Sequence, residues 1–97
     1  MARPKICRRV MLNPKVKYFK PQGTPLRVVE EVFLTVEEFE AIRLKDLEGL
    51  GQLECSKKMK ISQPTFHRIV SLARKKISDA IVNGKAIKIE GGNFKIG

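Results

Sequence analysis

Tryptophan is absent, tyrosine and histidine occur once each, and cysteine occurs only twice, at Cys7 and Cys55. Neither cysteine has a second thiol or imidazole two to four residues away, the clustering that a tetrahedral zinc site requires, so no metal is expected. Two isolated thiols in a protein read as intracellular also give no disulfide framework. No apolar run approaches the ~20 residues of a membrane span. Residues 1–12 are basic and broken, without the continuous apolar segment of a signal peptide, so a cytoplasmic location away from membranes is expected. A phosphate-binding glycine loop, a Cys–His or Ser–His pair at interpretable spacing and a carboxylate pair in a cleft are all missing. The expectation is a non-enzymatic protein without a cofactor.

Acids are the scarce charge: 20 Lys and Arg face 10 Asp and Glu, a net charge of +10. The two signs are segregated. Residues 1–29 hold eight basic and no acidic side chains, residues 30–56 eight acidic and two basic, and residues 57–97 ten basic and two acidic. A solubility charge has no need of such blocks; a polyanionic partner does, because phosphate contacts release counterions. At 97 residues there is room for one small domain.

Residues 1–25 form a basic, proline-punctuated segment in which Ile6, Val10 and Leu12 share one face of an extended chain. A short strand and a solvated arm reaching along phosphates are both compatible with it. Residues 26–33 fit strand and helix equally. Thr35 and Glu38 make a capping box at the start of a helix whose buried stripe is Val36, Phe39, Ile42 and either Leu44 or Leu47. Gly49 and Gly51 end it. A second helix follows over 52–59, then a turn at Lys60 and Ile61. Ser62 caps a long third helix that tolerates Pro64 in its first turn and ends at Gly84. Residues 86–90 alternate, and Gly91, Gly92 and Asn93 read as the turn of a small hairpin closed by residues 94–96. The strip Ile87, Ile89, Phe94 and Ile96 either pairs between protomers or closes the monomer's own core. The expected fold is mainly α: a three-helix, helix-turn-helix core over 26–84, with a basic N-terminal arm over 1–25 and a C-terminal β-hairpin over 85–97, winged-helix-like in outline.

Within 47–72, apolar Leu53, Met59, Ile61, Phe66, Ile69 and Leu72 have the spacing of two helices packed across one another. Polar side chains lie between them. In a helix-turn-helix the second helix enters the DNA major groove and its first turns touch base edges. Gln63, Thr65, His67 and Arg68 are the candidates for base reading: Gln63 suits an adenine edge, and Arg68 a bidentate contact to guanine. Ser62, Ser71, Arg74, Lys75 and Lys76 on the third helix, Lys57, Lys58 and Lys60 before it, and Arg8 and Arg9 in the arm are the candidates for phosphate contact. Each alone is equally an ordinary solvated residue; their clustering at one helix start favours the DNA reading.

Leu34 and Thr35, Glu38, Leu44, residues 48–50, Glu54, Met59, Ile61 and Ser62, Thr65 and residues 74–77 resemble region 4 of sigma-70-type factors, a helix-turn-helix that reads the promoter −35 element. Over its whole length the chain is similar to a family of small uncharacterised bacterial and archaeal proteins predicted to bind DNA through that fold. Arg3 and Pro4 with Arg8 and Arg9, Phe19 to Pro21 with Gly23, Leu34, Thr35 and Glu38, residues 46–50, Ser62, Gln63, Thr65 and Phe66, Arg68 and Ile69, and residues 73–76, 83–86 and 89–92 carry the likeness. Three positions depart from the helix-turn-helix pattern: Lys60 stands where a glycine is common, Ser56 where alanine is usual, and Pro64 removes an amide. The resemblance implies sequence-specific binding of double-stranded DNA in transcriptional regulation, with a homodimer on two half-sites. Two alternatives stand beside it. One is docking onto RNA polymerase or another protein through the acidic first helix (Glu37, Glu38, Glu40, Asp46 and Glu48). The other is RNA binding through the basic arm, where Tyr18 and Phe19 either stack on bases or pack onto the domain.

Overall fold

The computed structural model describes residues 7–25 and 27–97; the expected strand residue Ile6 and the start of the 26–33 segment lie outside them. In chain order the elements are β1 (Arg8–Val10), β2 (Tyr18–Phe19), β3 (Glu31–Leu34), α1 (Val36–Ile42) with a π-helical turn (Arg43–Leu47), α2 (Gln52–Met59), α3 (Gln63–Asn83), β4 (Ala86–Ile89) and β5 (Phe94–Ile96).

The helices begin and end where side-chain chemistry dictates. Thr35 caps α1 reciprocally with Glu38: the Glu38 amide donates to Thr35 Oγ1 at 3.2 Å, and the Thr35 amide to Glu38 Oε1 at 2.8 Å. Ser62 caps α3, accepting from the Thr65 amide at 3.3 Å. Lys60 ends α2 in the left-handed conformation, with φ 56° and ψ 47°, and the Ile61 amide reaches back to the Ser56 carbonyl at 3.0 Å. Lys60 is the only non-glycine with positive φ among the described residues. Gly84 ends α3 the same way without the Cβ penalty, at φ 64°.

Ala41, Leu44, Cys55, Met59, Phe66, Ile69 and Val70 form one core cluster where the three helices meet. The spacing argument named Met59, Phe66 and Ile69 correctly, but Leu53 and Leu72 are half-exposed. At about 100° per residue, Leu53 lies roughly 120° round α2 from Met59, and Leu72 is displaced similarly from the Phe66–Ala73 side of α3. Ser56, 2% exposed, lets the helices approach and donates to the Leu53 carbonyl at 2.8 Å. Leu44, not Leu47, completes the α1 stripe.

The mainly-α expectation fails. Helices hold 46% and strands 18% of the described residues, and the strands form two sheets, so the fold is mixed α/β. The C-terminal hairpin does not form either, although both of its strands do. β4 lies between β2, antiparallel, and β3, parallel, while β5 pairs in parallel with β1. Gly91 and Gly92, at φ 73° and 103°, turn the chain over the start of α1 instead of folding it back. There the Gly91 carbonyl accepts from the Val36 amide at 3.1 Å, and the Asn93 amide donates to Glu37 Oε1 at 2.6 Å. Those two bonds at the α1 start take the place of hairpin pairing. Residues 8–10 and 18–19 of the basic segment are therefore sheet strands. A second core cluster, Val10, Leu34, Val36, Ala73 and Ile89, packs with Ile87 and Phe94 between sheets and helices. Three of the four terminal strip residues thus close the monomer's own core; Ile96 is half-exposed.

Holding Lys60 left-handed costs about 1 kcal/mol. Lys60→Gly is expected to raise the unfolding free energy by about that amount in denaturant titration, with the cooperativity slope unchanged.

Candidate nucleic-acid interface

The opening turns of α3 protrude. Ser62, Gln63, Pro64, His67, Arg68, Ser71 and Lys75 are exposed, whereas Phe66, Ile69, Val70 and Ala73 anchor the opposite side. Thr65 is half-buried, its hydroxyl 2.9 Å from that of Ser62. The expected base readers divide around the helix. Gln63 and His67, with Arg74, turn to one flank; Thr65 and Arg68, with Leu72 and Lys76, turn to the other. Gln52, not singled out from sequence, steadies the start of α3 by donating to the Gln63 carbonyl at 3.4 Å.

On the Arg68 flank lies an open groove of about 1320 Å³. Lys57, Lys60, Ser62, Thr65, Arg68 and Leu72 line it, together with Arg8, Gly92 and Asn93 from near the two ends of the sequence. Gly92 was read as a hairpin turn in the sequence, and nothing local marks it as part of a site. A side chain would not fit there: a Cβ on Gly92 would collide with Glu37 Oε1 and sit 3.0 Å from Thr35 Cβ.

The expected phosphate ligands are not equally available. Arg74 is held by Asp46, with Nη2 at 2.6 Å and Nε at 3.0 Å from the two carboxylate oxygens. That bond keeps the Asp46 carboxyl below its usual pKa and raises the Arg74 guanidinium. Lys76 Nζ contacts Glu38 Oε1 at 2.8 Å. Arg9 Nε donates to the Lys58 carbonyl at 2.7 Å, closing the end of α2 as a cation suits a helix C-terminus. Arg8 Nε lies 3.4 Å from Glu37 Oε2, close enough for attraction but not aligned for a hydrogen bond, and it is buried without one. Lys57, Lys60, Arg68 and Lys75 have no carboxylate partner among the described residues. Lys58 is half-buried.

The surfaces invoked by the alternative readings are altered. Glu37, Glu38 and Glu40 are 8%, 4% and 0% exposed, so the acidic first helix presents outward only Asp46 and Glu48. Glu48 is itself paired with Arg43 at 3.0 Å. Tyr18 donates to Glu31 at 2.6 Å, and Phe19 is half-exposed beside it in β2. Burial pushes the Cys55 thiol up, away from the reactive thiolate. No group of three or more metal-binding side chains exists among the described residues, and no described helix is long and apolar enough to cross a membrane.

A family model described as a protein of unknown function, DUF134, matches residues 1–97. The chain belongs to this family. A UPF0251 protein of Caldanaerobacter subterraneus subsp. tengcongensis is 64% identical over 96 residues, covering 99% of this chain and 81% of its own. UPF0251 proteins of Thermoanaerobacter pseudethanolicus and Caldicellulosiruptor saccharolyticus are 59% and 60% identical, with 81% and 68% of their own lengths covered. No solved structure matches the chain. DUF134 membership carries no stated activity, so the functional reading of this DUF134 chain rests on its geometry.

The Asp46–Arg74 pair gives one check of that geometry. A carboxylate whose folded pKa is depressed contributes stability above its unfolded value, and that contribution is lost as pH falls through the folded one. Asp46→Asn is therefore expected to cost less than about 1 kcal/mol at neutral pH, as surface pairs do. In denaturant titrations at stepped pH, its deficit should vanish on acidification below the lowered Asp46 pKa.

Proposed function

We propose that this protein binds double-stranded DNA in a sequence-specific way, as a transcriptional regulator, by inserting the start of α3 into the major groove. α2, the Lys60 turn and α3 act as a helix-turn-helix in this reading. The observation that carries it is the character of the protruding side of α3. From residue 63 to residue 78 the helix has no acidic side chain, and its outward polar residues include Gln63, His67, Arg68, Ser71, Arg74 and Lys75. A merely solvated helix would ordinarily intersperse both signs.

Arg68 reads a base edge, and Lys75, farther along, holds a phosphate. Gln63 and His67 read from the other flank. The neighbouring lysines of α2 and its turn supply sequence-independent attraction, and a second protomer on an adjacent half-site supplies the affinity that one small module lacks. Protein docking through α1 is disfavoured because three of its five acids are turned inward.

Titration of a fluorescent random-sequence duplex pool at stepped salt tests the proposal. With Lys57, Lys60 and Lys75 on phosphates, the plot of log affinity against log salt should fall with a slope of roughly −3 per protomer. Arg68→Ala should relax base preference in duplexes selected from the pool, at about 1–3 kcal/mol for the affected position. Lys75→Ala should weaken all sequences alike and reduce the slope by about one. Salt-independent binding, or no binding, would overturn the reading.

A further inference from the structure

Three features of the groove beside α3 are not required for base reading. Its volume, about 1320 Å³, exceeds the ~300–1,000 Å³ of ordinary small-molecule sites, and it is open along the helix, which suits a polymer better than a metabolite. Its cations without a carboxylate partner, Lys57, Lys60 and Arg68, come from α2, its turn and α3, while Arg8, from β1, lies 3.4 Å from Glu37 with a buried Nε that makes no hydrogen bond. The acids on its floor are already occupied: Glu37 by the Asn93 amide and Arg8, and Glu38 by Lys76 and the Thr35 amide. A polyanion in the groove thus meets cations that lack partners and carboxylates whose charge is locally balanced. The opposite flank of α3 differs, because its arginine, Arg74, is closed off by two short bonds to Asp46.

We infer that the groove is the track for one sugar–phosphate strand of the duplex, so that the protein grips DNA from one side of α3 only. Lys57 and Lys60 contact successive phosphates on that strand. Arg8, supplied by a strand from the other end of the chain, stays on Glu37 and balances that acid beneath the track. Gly92 lets the loop before β5 lie against Glu37 and Thr35, where a Cβ would collide. Leu72, half-exposed in the groove, lies against the deoxyribose, an apolar surface that suits its side chain. Arg74 stays on Asp46 and contributes nothing to phosphate binding. The inference rests on the duplex-binding reading above and adds to it a handedness of grip.

The salt dependence of duplex-pool binding is measured for Lys57→Gln, Lys60→Gly and Arg74→Gln beside the unaltered protein. Lys57→Gln and Lys60→Gly should each lower the slope by about one, and Arg74→Gln should leave it unchanged. Lys60→Gly separates charge from folding, because it relieves the left-handed lysine: its thermal midpoint should rise while its salt slope falls. If the unaltered protein binds with a steep slope but the two groove variants keep that slope, or Arg74→Gln lowers it equally, the one-sided track is wrong and duplex binding stands. If the unaltered protein shows no salt-dependent duplex binding, both fall.

Discussion

Three carboxylates in the first two turns of α1 hold the ends of the chain together. Glu37 takes the Asn93 amide and attracts Arg8; Glu38 closes the capping box and takes Lys76; Glu40, fully buried, takes the Met11 amide at 2.8 Å and one edge of the Arg43 guanidinium, Nε at 2.7 Å and Nη2 at 3.0 Å. An ionised carboxylate withdrawn from water costs several kcal/mol unless its oxygens are satisfied. Each of these acids therefore demands particular donors, and those from beyond α1 and its π-helical turn come from just after β1 (Met11), from α3 (Lys76) and from the loop before β5 (Asn93). Apolar packing of Val10 or Phe94 rewards burial in many registers. A carboxylate aimed at one backbone amide rewards only one.

This internal use of acid also shapes the field outside. Three of the eight acids in the negative block, Glu37, Glu38 and Glu40, are withdrawn from the surface, and they neutralise Arg8, Arg43 and Lys76 from within. Outward on α3 and the end of α2, Lys57, Lys60, Arg68 and Lys75 are cations without a carboxylate partner among the described residues. A chain of this composition with its acids spread over the surface would have the same net charge and a much weaker local potential. Segregation in sequence becomes, for the acids of the first α1 turns, segregation between inside and outside.

Local chemistry was legible in the residues, and distant pairing was not. The capping box at Thr35, the Ser62 cap, the Lys60 turn and the Gly84 stop each depend on atoms within a few positions, and the helices they delimit lie where those residues predict. Periodicity named Met59, Phe66 and Ile69 but misplaced Leu53 and Leu72, since spacing fixes a stripe only within the width of a helix face. The β-structure escaped because its partners are far apart: Arg8 is registered with Phe94, and Tyr18 with Lys88. Alternation says that a segment can be a strand, never which strand it will join. The same limit hid the part of the groove lining built from an N-terminal arginine and a C-terminal glycine. It also hid the pairing of Arg74, whose partner Asp46 lies 28 residues away on a π-helical turn. The burial of Glu37, Glu38 and Glu40 ran against the ordinary expectation that acids face water.

Lys60 brings these threads together. A left-handed lysine sacrifices stability that a glycine would keep, and strain of this kind persists when the surroundings over-determine it. Here the Schellman-type bond from Ile61 to Ser56 and the packing of Ile61 against the helical core fix the turn whatever residue occupies it. The side chain is then free to be chosen for charge, and it stands exposed at the mouth of the groove between two cationic helix segments. On folding grounds glycine is the better residue. On the proposed phosphate track, a cation at that point is worth more than the strain it costs, because it extends the row begun by Lys57 to the start of α3.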